Sequence, residues 1–132
     1  MAVTARFDHH TGLLRVVVTG AWPSIDEQRQ LRLWLMAQGT LTDGTRALFD
    51  LREMDIATAP YHDGVQQTVA VAMQHGGLPR RRAYLALDGA QFGFIRMLQA
   101  VSEPTGVVMG CFTDEAEAVR WLLSDEPVGN AC

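Results

Sequence analysis

Arg46-Ala47-Leu48-Phe49-Asp50-Leu51-Arg52-Glu53-Met54-Asp55-Ile56-Ala57-Thr58-Ala59-Pro60-Tyr61 is the stretch whose reading decides the fold. Arg46–Leu51 is a strand. Ala47, Leu48 and Phe49 show little alternation, which is the mark of burial on both faces in the middle of a parallel sheet. Asp50 stands where such a strand emerges, and Arg52, Glu53 and Asp55 cluster at its carboxyl end. Open α/β sheets usually keep their sites there. Pro60 then suits the first turn of a helix, where its missing N–H costs nothing.

Working outward, Val3–Asp8 and Leu13–Thr19 are two strands joined by His9-His10-Thr11-Gly12, which reads as a β-hairpin. Ser24 and Glu27 form a capping-box pattern that opens a helix running to about Gln38, with Gly39 as its stop. Ile25, Leu31, Leu35 and Met36 form its sheet-facing side, and Trp34 falls off that stripe. In the helix from Pro60, Tyr61, Val65, Val69, Ala72 and Met73 repeat at helical spacing. Ala83–Leu87 is a fourth strand, Asp88 caps a helix over Ala90–Ser102, and Val107–Phe112 is a fifth strand. Thr113 or Asp114 caps a last helix to about Leu123, with Ala118, Trp121 and Leu122 as its face.

The expected order is ββαβαβαβα: an α/β domain, an N-terminal β-hairpin followed by βαβ units, giving a mixed five-stranded sheet with four helices. The domain spans residues 1–123, and residues 124–132, without periodicity, are expected to be a flexible C-terminal tail. The 132 residues fit one domain.

Composition narrows the function. Net charge is −4, a balance that argues against nucleic acid as a partner. No stretch of ~18 apolar residues is present to span a membrane. The opening MAVTARFDHH has no apolar run, so a cytoplasmic location is expected. All eleven basic residues are arginine, so Schiff-base chemistry has no lysine to use. His9 and His10 are adjacent on the chain, point apart on a strand and have no third ligand in view, so neither a metal nor a cofactor is expected. Cys111, in an apolar strand pattern, reads as a buried, inert thiol, and Cys132 ends the chain. Arg80, Arg81 and Arg82 read as a solvated opening to the fourth strand. A phosphate or acidic partner is the other reading.

Three segments together resemble the SpoIIAA-like superfamily, which includes the STAS (sulfate transporter and anti-sigma factor antagonist) domains. They are Leu13-Leu14-Arg15-Val16-Val17-Val18-Thr19-Gly20, Leu48-Phe49-Asp50-Leu51-Arg52-Glu53, and Glu117-Ala118-Val119-Arg120-Trp121-Leu122. The last is similar to an EAxxWL ending of the stand-alone branch. The resemblance covers Val3 to Leu123. It implies a regulatory or binding module, in a fold similar to that of lipid-binding Sec14-type domains. STAS antagonists carry Asp-Ser-Ser-Gly at the start of the second helix, and the first Ser is phosphorylated. Laid on this chain from Asp50 without gaps, that motif falls on Thr58-Ala59-Pro60-Tyr61, with Ala59 at the phosphoacceptor position.

The expected function is a non-enzymatic binding or regulatory module with a protein partner. The alternative is a carrier of a small apolar or amphipathic, lipid-like ligand. An enzyme using Asp50, Arg52, Asp55 and His62 is the third reading. No nucleophile elbow, Gly-rich phosphate loop or HExxH motif accompanies them. Asp50, Arg52, Asp55 and Thr58, with Trp22 and Asp88 from neighbouring strand ends, are the candidate recognition surface. A homodimer is expected, with Trp34 or Trp121 as its anchor.

Overall fold

The computed structural model describes residues 3–127. Its strands are β1 (Val3–Asp8), β2 (Leu13–Gly20), β3 (Arg46–Met54), β4 (Arg81–Leu85) and β5 (Val108–Phe112). Its α-helices are α1 (Ile25–Ala37), α2 (His62–Gln74), α3 (Gly89–Ser102) and α4 (Glu115–Leu122). A single 3₁₀ turn, Ile56–Thr58, links β3 to α2. The strands lie in the order β1-β2-β3-β4-β5. The first pair is antiparallel and the rest are parallel.

Strand parity divides the core. Leu14, Val16, Val18, Ala47, Leu51 and Tyr84 project to one face, where α1, α2 and α3 lie side by side. Leu48, Ala83, Leu85 and Phe112 project to the other, where Ala118, Trp121 and Leu122 of α4 cover them. Gly110 sits under that helix. A Cβ there would come within 2.9 Å of the Phe112 ring and 3.3 Å of Trp121, so only glycine lets α4 lie this close.

Several expected boundaries shift. β3 runs three residues past Leu51, because it continues to pair with β2 beyond a bulge: Val17 faces Asp50, but Thr19 faces Glu53. β4 starts at Arg81 rather than Ala83, since Arg81 and Arg82 both pair with β3. The arginine run is thus part of the sheet. Arg82 is buried, and the Arg81 guanidinium lies 3.8 Å from the centre of the Trp121 ring. Only Arg80 is solvated, with Asp43 at 3.6 Å. In the helices, Met36, Tyr61 and Met73 are exposed rather than part of the buried stripes, and Val69 is half-buried. Cys111 is buried as expected but is disulfide-bonded rather than an inert thiol. Cys132 lies outside the described residues.

The segment after α4 is tied down as far as it is described. Arg46 donates to the carbonyls of Leu122 and Ser124 and meets Asp125 at 3.1 Å. Arg81 donates to the Glu126 carbonyl at 2.7 Å, and Trp121 Nε1 to that of Pro127 at 3.2 Å. The rest of the expected tail, 128–132, lies outside the described residues.

Candidate functional site

A cavity of about 90 Å³ opens between α1, α2 and the sheet. Its origin is in the sequence of α1. The residues that face the sheet are Gln28, Leu31, Arg32 and Leu35, and all four line the cavity. Two of them are long and polar and cannot fill an apolar interface, so α1 packs against α2 more closely than against the strands. Val16 from β2, Val69 from α2 and Leu98 from α3 form much of the apolar wall. The Trp22 ring closes one part, edge-on to Phe94 with centroids 4.8 Å apart.

The polar groups at this wall are unusual. Trp22 Nε1 and Thr68 Oγ1 are buried without a hydrogen-bond partner. A buried donor or hydroxyl in that state costs its full desolvation, on the order of 1–3 kcal/mol. Arg82 is 6% exposed and donates from Nε to the Pro79 carbonyl at 2.8 Å and from Nη2 to that of Gly77 at 3.3 Å. Arg32 donates from Nη1 to the Leu78 carbonyl. Burial, and then the neighbouring charge of Arg82, push the Arg32 guanidinium down to about 10.

A second polar cluster lies on the opposite face, beside α4. The Asp50 carboxylate takes Arg52 in bidentate fashion: Nε to Oδ1 at 2.9 Å and Nη2 to Oδ2 at 2.8 Å. The backbone N–H of Arg52 donates to the same Oδ1 at 3.1 Å. Arg15 reaches Asp50 at 3.4 Å and Glu115 at 2.7 Å, and Arg52 reaches Glu115 at 3.3 Å. The Arg52 hydrogen bonds hold Asp50 below the ordinary carboxylate range, and the Arg15 hydrogen bond does the same for Glu115.

No family model and no curated protein matches the chain. Among solved structures it is similar to an uncharacterized protein of the DUF3478 family, described as having a SpoIIAA-like fold, from Shewanella loihica PV-4. The two share 20% identity over 92% of each chain, with a TM-score of 0.64. The fold of the chain is SpoIIAA-like.

Within this SpoIIAA-like frame the six expected surface residues fall into three groups. Trp22, Asp55 and Thr58 meet at the strand ends. The Trp22 backbone N–H donates to Thr58 Oγ1 at 2.9 Å, that hydroxyl donates to the Asp55 carbonyl at 2.6 Å, and the Asp55 carboxylate caps the 3₁₀ turn through the Ala57 N–H. Asp50 and Arg52 are not with them, because their side chains lie on the α4 face. Asp88 caps α3 through the Gln91 N–H at 2.9 Å. Ala59, at the position where the resemblance places a phosphoacceptor, ends the 3₁₀ turn and packs on the core. His62, from the enzyme reading, is exposed and contacts Asp63 at 3.7 Å. Of the two dimer anchors, Trp121 is buried, which leaves Trp34, exposed beside Leu33 on α1.

Sequence reasoning missed Arg15, Glu115, Arg32 and Thr68, and it named Arg82 only within the arginine run, without placing it at a cavity. Arg15 carried a signal: it is the lone charge in an apolar strand and alternates with Leu14 and Val16. Arg32 carried another, since it shares one helical stripe with Gln28, Leu31 and Leu35. Glu115 is a hundred residues from Arg15. Nothing local to it marks the pairing.

Proposed function

We propose that this chain is a non-enzymatic binding module, and that its ligand is a small, largely apolar molecule held in the cavity under α1 and α2. The observation that carries this reading is a mainly apolar cavity lined by a few polar side chains, among them Trp22 and Thr68, whose Nε1 and Oγ1 are buried without a partner. A few convergent polar groups in an apolar concavity are the usual make-up of a small-molecule site. Size limits the occupant. An engineered apolar cavity of roughly 150 Å³ takes benzene, so about 90 Å³ suits a short chain and not an intact phospholipid.

The non-enzymatic part of the reading is supported by the state of the carboxylates. Asp50 and Glu115 are held ionised by arginines, and a general acid needs a proton near working pH. Asp55 and Asp88 are occupied as caps on other elements.

The test is an amide and indole NMR titration with 1-pentanol. We expect the Trp22 indole N–H resonance to shift on binding, while that of Trp121, bonded to the Pro127 carbonyl, stays in place. Val69→Phe fills the cavity from α2 and is expected to abolish the shift without lowering the melting temperature by more than a few degrees, because Val69 is only half-buried. No shift in the wild type rejects the reading.

A further inference from the structure

Two positive charges, those of Arg32 and Arg82, line the cavity, and no described acidic side chain is paired with either. Both are anchored to the carbonyls of Gly77, Leu78 and Pro79. Arg32 lies close enough to Arg82 to feel its charge. Buried charges in proteins are normally paired, because desolvation is repaid only by a close counter-charge. Other partly exposed arginines do pair, Arg15 and Arg52 with Asp50 and Glu115 and Arg46 with Asp125, whereas Arg81 is held by carbonyls and the Trp121 ring.

A guanidinium has five N–H donors in a planar fork. Arg82 spends two on carbonyls and Arg32 one, so both retain donors. Trp22, beyond the carboxyl end of β2, and Thr68 also line the cavity, and their Nε1 and Oγ1 atoms are buried without a partner. The rest of the lining includes Val16, Leu31, Val69 and Leu98. The cavity thus combines two guanidinium forks, beside the 77–79 segment that leads into β4, with apolar side chains.

We infer that the ligand of this cavity is an amphipathic anion, a short-chain carboxylate, with its head between Arg32 and Arg82 and its hydrocarbon against Val16, Leu31, Val69 and Leu98. This rests on the cavity being the binding site and adds the chemical class of its occupant. The two arginines supply charge-assisted hydrogen bonds to the head, and a guanidinium fork matches a carboxylate in plane and spacing. Chain length is limited by the same volume that excludes an intact phospholipid.

The experiment compares pentanoate, 1-pentanol and acetate by NMR titration of wild type, Arg32→Met and Arg32→Lys. Pentanoate is expected to bind wild type about tenfold more tightly than 1-pentanol, the margin of one charge-assisted hydrogen bond. Arg32→Met should weaken pentanoate several-fold more than it weakens 1-pentanol, whereas Arg32→Lys should keep part of the preference for pentanoate. Acetate, a head without a tail, should bind far more weakly than pentanoate. The inference is overturned if wild type holds pentanoate no better than 1-pentanol, or if Arg32→Met weakens both equally, as loss of a purely structural arginine would. If neither molecule binds wild type, the cavity is not a site and the proposed function falls with it.

Discussion

Leu98→Asp is expected to lower the melting temperature by more than about 10 °C. Leu98 is 3% exposed on α3 and packs among the buried residues of the three-helix face. A carboxylate there is taken out of water among mainly apolar groups, and the Arg32 and Arg82 guanidiniums that line the same cavity are already held on the carbonyls of residues 77–79. The cost of burying such a charge exceeds ~3 kcal/mol, a large share of the 5–15 kcal/mol that typically holds a domain together. For a chain of this size each kcal/mol moves the midpoint by about 4 °C. Val69→Asp is the internal comparison. Val69 is half-buried where the cavity opens, so its carboxylate retains solvent, and the loss should be less than half as large. Thermal melts followed by circular dichroism decide it. A Leu98→Asp protein melting within two or so degrees of wild type would sink the assignment of α3's inner face.

The two positions also show what was legible. Both lie on apolar stripes at helical spacing, so sequence alone treats them alike. They differ because α1 brings Gln28 and Arg32 to its inner side and leaves space beside α2. That consequence follows from packing between elements, which no local pattern encodes. The topology was readable for the opposite reason. The hairpin signal, the capping box at Ser24 and Glu27, and the Asp88 cap are local, and all three appear in the structure. The end of β3 was not readable, because the bulge opposite Val18 breaks the alternation from which strand length is judged.

The candidate site was legible in its residues more than in its geometry. Asp50 and Arg52 do interact with each other and with further charges, as a charged strand end implies. Parity places them apart from Trp22: Phe49 and Leu51 face the three helices, so Asp50 between them must face α4. Reading Arg46–Leu51 as buried on both faces obscured that step. The charged pair that shapes the cavity, Arg32 and Arg82, was hidden differently. An arginine in a sequence normally finds a carboxylate in the fold, and only the finished structure shows that these two find backbone carbonyls instead.

Asp50→Asn is expected to cost about 2–3 kcal/mol at neutral pH, and the cost should shrink as the solution is acidified. Removing one partner of a buried pair typically costs 3–5 kcal/mol, discounted here because water reaches the arginines. The Asp50 side chain is 9% exposed, whereas those of Arg15 and Arg52 are each 32% exposed. The pH dependence follows from direction alone. Arg52 hydrogen bonds, then the charges of Arg52 and Arg15, hold the Asp50 carboxyl below its ordinary value, against the opposing effect of burial. Glu115 is lowered as well, chiefly by Arg15, with the Asp50 charge pushing the other way. A carboxyl whose folded pKa is depressed contributes its full stability above the unfolded value of about 4 and loses it as pH falls through the folded value. Wild type should therefore lose stability steeply below about pH 4, whereas Asp50→Asn, which lacks that titration, should follow a flatter curve. The gap between the two should narrow as the Asp50 carboxyl is protonated. Urea midpoints at pH 7, 4, 3 and 2 measure the gap, and a gap that stays constant across that range would rule out the ion-pair account. Pentanol binding gives an independent check at pH 7. The Asp50 cluster and the cavity lie on opposite faces of one sheet, so the variant should lose stability and still bind, whereas Val69→Phe should stay stable and lose binding.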